Sequence, residues 1–161
     1  MKPLRTWTMA LSFFQLASGP TFTDLANFTY HFGPEDKRRV SLEDGTGKDA
    51  DDSTFELLKL HAIGDLDSDK QPDAAAMLME SSGGSGRFYY LFVLLNKGGK
   101  LVQIEHPEWL GDRSVIQRVT INRGVLAVRF ITHKDEDPAC CPTRQVENRY
   151  RVVAGKLVGL D

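Results

Sequence analysis

The stretch RFYYLFVLL, residues 87 to 95, constrains the fold more than any other part of the chain. Every residue after the arginine is apolar or aromatic, so a strand built from it has no polar face. Such a strand lies in the middle of a sheet that is covered on both sides. NKGGK follows at once and predicts a hairpin turn into a further strand, LVQIEH.

The rest of the chain from Arg38 onward also has a β pattern. SVIQRVTI and VLAVRFI are separated by NRG, a compact turn whose glycine suits a positive φ, and QVENRYRVV alternates apolar with charged residues. These features predict a mainly β fold, a single antiparallel meander of eight or nine strands. Closure of the meander as a barrel, or its packing as a two-sheet sandwich, would bury the apolar side chains of these strands. TFTDLANFTYHF begins with capping residues and predicts one short helix, and DGTGKDADDS predicts a polar loop.

The amino terminus differs in composition from the remainder. MKPLR carries two positive charges, TWTMALSFFQLA is mostly apolar, and Ala17 and Gly19 suit the small-residue positions of a cleavage site. We expect residues 1–19 to be a signal peptide and residues 20–161 to be a single β domain. An amphipathic helix is the alternative, because polar residues dilute the apolar run. The run is too short for a bilayer span of about 20 apolar residues.

Composition limits the classes of partner. The chain has 161 residues, of which 41% are hydrophobic and 26% charged, and its formal net charge is −2. This near-neutral balance offers no basic surface for nucleic acid. We expect a monomer without an integral membrane span that binds a protein or a small-molecule ligand.

GDLDSDKQPDAAAML, residues 64 to 78, places carboxylates at alternate positions. Numbered from Asp65, side chains fall at positions 1, 3, 5 and 9, and a backbone carbonyl is available at position 7. Calcium takes six to eight oxygen ligands, which carboxylates, a carbonyl and water supply. The spacing predicts a Ca²⁺ site whose ligands are Asp65, Asp67, Asp69, Gln71 and Asp73. A solvated acidic turn without an ion is the alternative.

This stretch resembles the D-x-D-x-D-x-x-x-D calcium loops of FG-GAP repeats, as in integrin α-chain propellers. The resemblance implies that the loop joins two strands. Position 6, normally a glycine with positive φ, is Lys70 here. A left-handed lysine costs roughly 1 kcal/mol, and its ammonium opposes a nearby cation. We therefore expect weak binding, around the 10⁻⁴–10⁻³ M of extracellular calcium modules.

The only two cysteines, Cys140 and Cys141, are adjacent in DPACCPT. In an exported protein they could form a vicinal disulfide in a sharp turn between two prolines. Two reduced cysteines are the alternative. A zinc site that used them with His133 lacks a fourth ligand at a recognisable spacing.

The order of LANFTY, GDLDSDKQPDAA, GGSGRFYYL, LGDR and DPACCPT resembles a group of small, uncharacterised exported bacterial β-domain proteins. The resemblance implies export to the periplasm or the extracellular space and implies no activity. Our leading hypothesis is a non-enzymatic, calcium-stabilised module with a structural or binding role in the cell envelope. One alternative is a small-ligand-binding barrel lined by Phe88, Tyr90 and Phe92, and another is an envelope hydrolase.

Overall fold

The structure is a computed structural model, and it describes residues 19–33, 38–104 and 106–160. The predicted signal segment lies outside these residues except for Gly19. Strands make up 58% of the described residues and the one helix 4%. In chain order the elements are α1 Phe22–Ala26, β1 Thr29–His31, β2 Arg39–Ser41, β3 Thr46–Lys48, β4 Thr54–Gly64, β5 Asp73–Ser81, β6 Phe88–Lys97, β7 Lys100–Gln103, β8 Glu108–Asp112, β9 Val115–Asn122, β10 Val125–Thr132, β11 Arg144–Val153 and β12 Lys156–Leu160.

A six-stranded antiparallel sheet forms the middle layer. Its order is β3-β4-β5-β6-β7, and β8 pairs with β6 beside the β7 pairing. Ala74 to Leu78 of β5 and Leu91 to Leu94 of β6 are buried on both faces of the sheet. The prediction that residues 87–95 form a central strand covered on both sides is therefore confirmed.

A four-stranded sheet, in the order β12-β11-β10-β9, packs on one face of the middle layer. Met77, Leu91 and Val93 of the six-stranded sheet meet Leu126 and Val128 of this sheet in one buried cluster, which we call the first core. The turn between β9 and β10 has Gly124 at φ 72°, as the sequence predicts for NRG. Burial of these aliphatic side chains is the main stabilising contribution at this interface.

The helix α1 and the two-stranded sheet β1-β2 cover the opposite face. Leu25, Tyr30 and Val40 pack there against Phe55 and Phe92 in a separate cluster, which we call the second core. Thr21 caps α1 through a reciprocal hydrogen-bond pair with Asp24, which confirms the predicted short helix. The ring centroids of Tyr30 and Phe92 lie 4.9 Å apart in an edge-to-face arrangement.

Of the barrel and the two-sheet sandwich that the sequence allows, the described strands do not form the barrel, and the predicted number of strands is wrong. The described strands form three antiparallel sheets and no closed barrel, because the six-stranded sheet keeps its edges while other elements cover its faces. They number twelve rather than eight or nine. The additional strands are β1, β3 and β8, and β3 lies within the stretch DGTGKDADDS, for which the sequence predicts a loop.

Candidate metal centre

The aspartate loop connects β4 to β5, which are antiparallel neighbours in the six-stranded sheet. Gly64, the last residue of β4, lies so close to β9 that a Cβ there would be 2.7 Å from a methyl carbon of Ile121. Leu66 is buried within the first core. The loop is thus fixed at its start by contact with both large sheets.

Three of the predicted ligands lie together. One carboxylate oxygen from each of Asp65, Asp67 and Asp73 lies within 4.8 Å of the others, a spacing at which one metal ion could bind all three. The group contains oxygen donors only, and hard cations such as calcium and magnesium prefer such donors. The donor set therefore fits the kind of ion that the spacing predicts.

Asp73 is the buried member of this group, with a side chain inaccessible to solvent. Its Oδ2 accepts a hydrogen bond from the amide of Leu66 at 2.7 Å, and its Oδ1 accepts one from the amide of Asn96 at 2.8 Å. Burial raises the pKa of Asp73, the two amides oppose that rise, and the charges of Asp67 and Asp69 add to it. A bound cation would favour the ionised form of Asp73, which burial and the charges of Asp67 and Asp69 disfavour.

Backbone amides of the loop point toward its own carboxylates. Asp65 accepts hydrogen bonds from the amides of Ser68 at 2.7 Å and Lys70 at 3.0 Å. Lys70 has φ 66°, so the lysine adopts the left-handed conformation that position 6 of the FG-GAP-like pattern requires, and Ser68 has φ 67°. Two left-handed residues turn the loop tightly enough for Asp65 and Asp73 to approach each other.

The other two predicted ligands are placed differently. Asp69 is outside the group of three, and its Oδ1 accepts a hydrogen bond from the amide of Gln71 at 2.8 Å. The role of the Gln71 carbonyl as a ligand stays a prediction. The structure thus brings Asp65, Asp67 and Asp73 together and leaves Asp69 beside them.

Lys97 is a residue of this site that sequence reasoning missed. Its ammonium pairs with Oδ2 of Asp67 and lies 3.3 Å from Oδ2 of Asp69. The bond to Asp67 raises the pKa of Lys97. Burial acts to raise the pKa of Asp67, but hydrogen bonds from Lys97 and the amide of Asp69 outweigh it, and the pKa is lowered. A metal ion that bound Asp67 would compete with this ammonium.

The turn with the two cysteines lies away from the metal centre, in the connection from β10 to β11. The sulfur atoms of Cys140 and Cys141 lie in direct contact with each other. Both residues are exposed at the surface. Oxidation of the two thiols to a disulfide stays a prediction.

The four histidines lie on separate segments. Nδ1 of His61 contacts the carbonyl oxygen of Lys59 at 2.9 Å, and Nδ1 of His106 contacts that of Phe32 at 3.3 Å. Within the described ranges, no histidine ring hydrogen-bonds to a serine, threonine or cysteine side chain. The hydrolase alternative, which needs a nucleophile and a base within hydrogen-bond reach, stays a prediction.

Comparison of the chain with family models, curated proteins and solved structures found no match. In the part of the chain that the structure describes, no helix combines the length and the apolar character needed to cross a membrane.

Proposed function

We propose that this protein is an exported, calcium-stabilised β-domain protein with a structural or binding role in the cell envelope and without catalytic activity. The observation that carries the proposal is the convergence of carboxylate oxygens from Asp65, Asp67 and Asp73 within 4.8 Å. Export rests on the sequence of residues 1–19. The low affinity expected for the loop suits a compartment with abundant calcium.

Calcium is favoured over other ions by the donors and by the shape of the site. No histidine or cysteine among the described residues belongs to the cluster, which disfavours zinc and copper. Magnesium requires near-ideal octahedral geometry, whereas calcium tolerates the irregular arrangement of an exposed loop. The ion would offset the mutual repulsion of three carboxylates.

The position of the site supports a structural role. Asp73 begins β5, and its carboxylate accepts amide hydrogen bonds from Leu66 in the loop and Asn96 in β6. An ion bound to Asp73 would therefore link the β4–β5 connection to the end of β6. Ligand binding of this kind raises the free energy of unfolding by mass action.

The barrel alternative has less support. Phe92 packs against Tyr30 and Phe32 in the second core, so its ring fills space that an interior ligand would need. The described strands also form no closed barrel.

The test is thermal unfolding of the full chain in excess calcium and in chelator, compared with the Asp67→Asn variant. This substitution keeps the shape of the side chain and removes one negative charge. We expect calcium to raise the midpoint of the wild-type protein and to have little effect on the variant. At a calcium concentration 100 times the dissociation constant, stabilisation is about 2.7 kcal/mol.

Asp52→Asn is the matched control, because Asp52 is an exposed aspartate whose side chain pairs with Lys48 at 3.5 Å. This variant should respond to calcium as the wild type does. Equal midpoints of the wild-type protein in calcium and in chelator would refute the proposal. An equal response to magnesium would retain the metal site but remove the calcium assignment.

A further inference from the structure

A cleft separate from the metal centre lies where β8 meets β10 and β11. Its volume is about 490 Å³, within the range of roughly 300–1,000 Å³ typical of small-molecule sites. Leu110 and Phe130, both members of the first core, form its apolar base, and Val146 lines one side. The cleft is therefore a concave surface with an apolar floor.

The rim of the cleft carries a large exposed aromatic ring. Trp109 lines the cleft with 62% of its surface accessible to solvent, the highest value among the exposed large hydrophobic residues of the described chain. No aromatic contact with another described residue involves its indole ring. An indole exposed in this way offers a face for stacking with a planar apolar group.

The polar groups of the cleft favour a negatively charged ligand. Asp112 is already neutralised by Arg113, because Nη1 of Arg113 lies 3.1 Å from Oδ2 of Asp112. Oδ1 of Asp112 accepts a hydrogen bond from the amide of Arg87 at 2.8 Å. The side chain of Arg144 forms no ion pair or hydrogen bond with any residue that the structure describes. Its guanidinium is thus the unneutralised charge of the cleft.

His133 adds a second unsatisfied group. Its Nε2 is buried and has no hydrogen-bond partner among the described residues, although leaving a buried polar atom without a partner is unfavourable. His133 and Arg144 flank the β10–β11 connection, and both line the cleft. A ligand oxygen that accepts a hydrogen bond from Arg144 would also place a hydrogen-bond partner for Nε2 of His133 on the side of the cleft that the two residues share.

We propose that this cleft binds a small aromatic carboxylate, whose ring stacks on Trp109 and whose carboxylate pairs with Arg144. The apolar base excludes water from the ring, and the planar guanidinium can bond both carboxylate oxygens. This site is independent of the proposed calcium site.

Tryptophan fluorescence provides the measurement, because the chain has only two tryptophans, Trp7 and Trp109. The full-length Trp7→Phe variant leaves Trp109 as the sole indole reporter. Phenylacetate serves as the probe and the neutral phenylacetamide as its uncharged analogue. We expect phenylacetate to change the emission of Trp109 saturably and to bind about tenfold more tightly than the amide, the effect of one charge-assisted contact.

Two arginine variants in the same background test the assignment. Arg144→Gln should weaken phenylacetate binding about tenfold and leave phenylacetamide binding unchanged. Arg149→Gln, at an exposed position on the same strand, should change neither affinity. His133→Gln tests the second polar group and should weaken phenylacetate binding several-fold.

The proposal is overturned if phenylacetate produces no saturable change, or if it binds no better than phenylacetamide. Equal phenylacetate binding by Arg144→Gln and Arg149→Gln would also overturn it. The thermal midpoints of both variants, measured beforehand, confirm that any loss of binding arises in a folded protein.

Discussion

Lys97 is the residue that we expect to limit the affinity of the aspartate cluster for a cation. Its ammonium pairs with Asp67 and lies 3.3 Å from Oδ2 of Asp69, so it already supplies a positive charge to the loop. An incoming ion has to displace this charge or bind beside it. Charge repulsion between an ammonium and a divalent ion then reduces the free energy of binding.

The Lys97→Met variant is therefore predicted to bind calcium about three- to tenfold more tightly than the wild type, since methionine keeps an unbranched side chain and removes the competing charge. Calorimetric titration with calcium measures the change. Lys100→Met is the matched control, because Lys100 is exposed nearby and forms no ion pair with the described residues. Unchanged or weaker binding by Lys97→Met would show that the ammonium does not compete.

The sequence predicts some of this site and misses the rest for a physical reason. Regular spacing within one loop indicates that Asp65 and Asp67 converge, and it also predicts the left-handed conformation of Lys70. Spacing says nothing about Lys97, which approaches Asp67 from 30 residues away through the pairing of β5 with β6. Burial of Asp73 likewise depends on the tertiary fold.

The β10–β11 connection is held by hydrogen bonds that involve no sulfur. Asp137 accepts bonds from the amide of Lys134 at 3.1 Å and from the amide and hydroxyl of Thr143, both at 2.8 Å. Arg113 donates to the carbonyl oxygen of Ala139 at 3.0 Å, and the amide of Cys141 donates to the carbonyl oxygen of Pro138 at 2.9 Å. The shape of the turn thus depends chiefly on Asp137 and Arg113.

We predict that the two cysteines are joined in the exported protein and that the bond contributes little to stability, because it closes a ring of adjacent residues. Iodoacetamide should modify neither cysteine before reduction and both afterwards, as mass spectrometry would show. The Cys140→Ser/Cys141→Ser variant should lose about 1 kcal/mol or less, at most roughly 4 °C in midpoint.

Asp137→Ala provides the comparison for this turn, and it should lower the midpoint more than loss of both cysteines does. The opposite order would mean that the sulfurs, rather than the carboxylate, hold the turn. Modification of both thiols without reductant would contradict the predicted disulfide.

How well the sequence predicts a strand depends on the length of the strand and on its pattern of apolar and polar residues. Long strands such as β6 and β11 have clear apolar runs or alternation, and both are found as expected. β1 and β3 have three residues each, and β3 is the polar tripeptide Thr46–Lys48. β8 contains Gly111 at φ 109° and pairs with β6 across an irregular register. Such strands are defined by their partners rather than by their own residues.

At the scale of the whole molecule, the two cores share one sheet. Along β6, Leu91 and Val93 face the first core, whereas Phe92 and Leu94 face the second. Alternation along the strand places successive side chains on opposite faces, so β6 cannot lose one core and keep its position for the other. We therefore expect the two cores to unfold together.

This coupling predicts that Phe92→Ala in the second core and Leu126→Ala in the first each destabilise the entire β domain. Both side chains are fully buried, and truncations of this kind cost about 3–5 kcal/mol for phenylalanine and 2–5 kcal/mol for leucine. Urea unfolding in the Trp7→Phe background, followed by far-ultraviolet circular dichroism and Trp109 fluorescence, measures both effects. The two probes should give one coincident transition for each variant, which marks two-state behaviour.

Val158→Ala, at an exposed position of β12, should change stability by no more than about 0.5 kcal/mol. Separate transitions by the two probes would show that one core can unfold while the other persists, and residues 20–161 would then contain more than one cooperative unit.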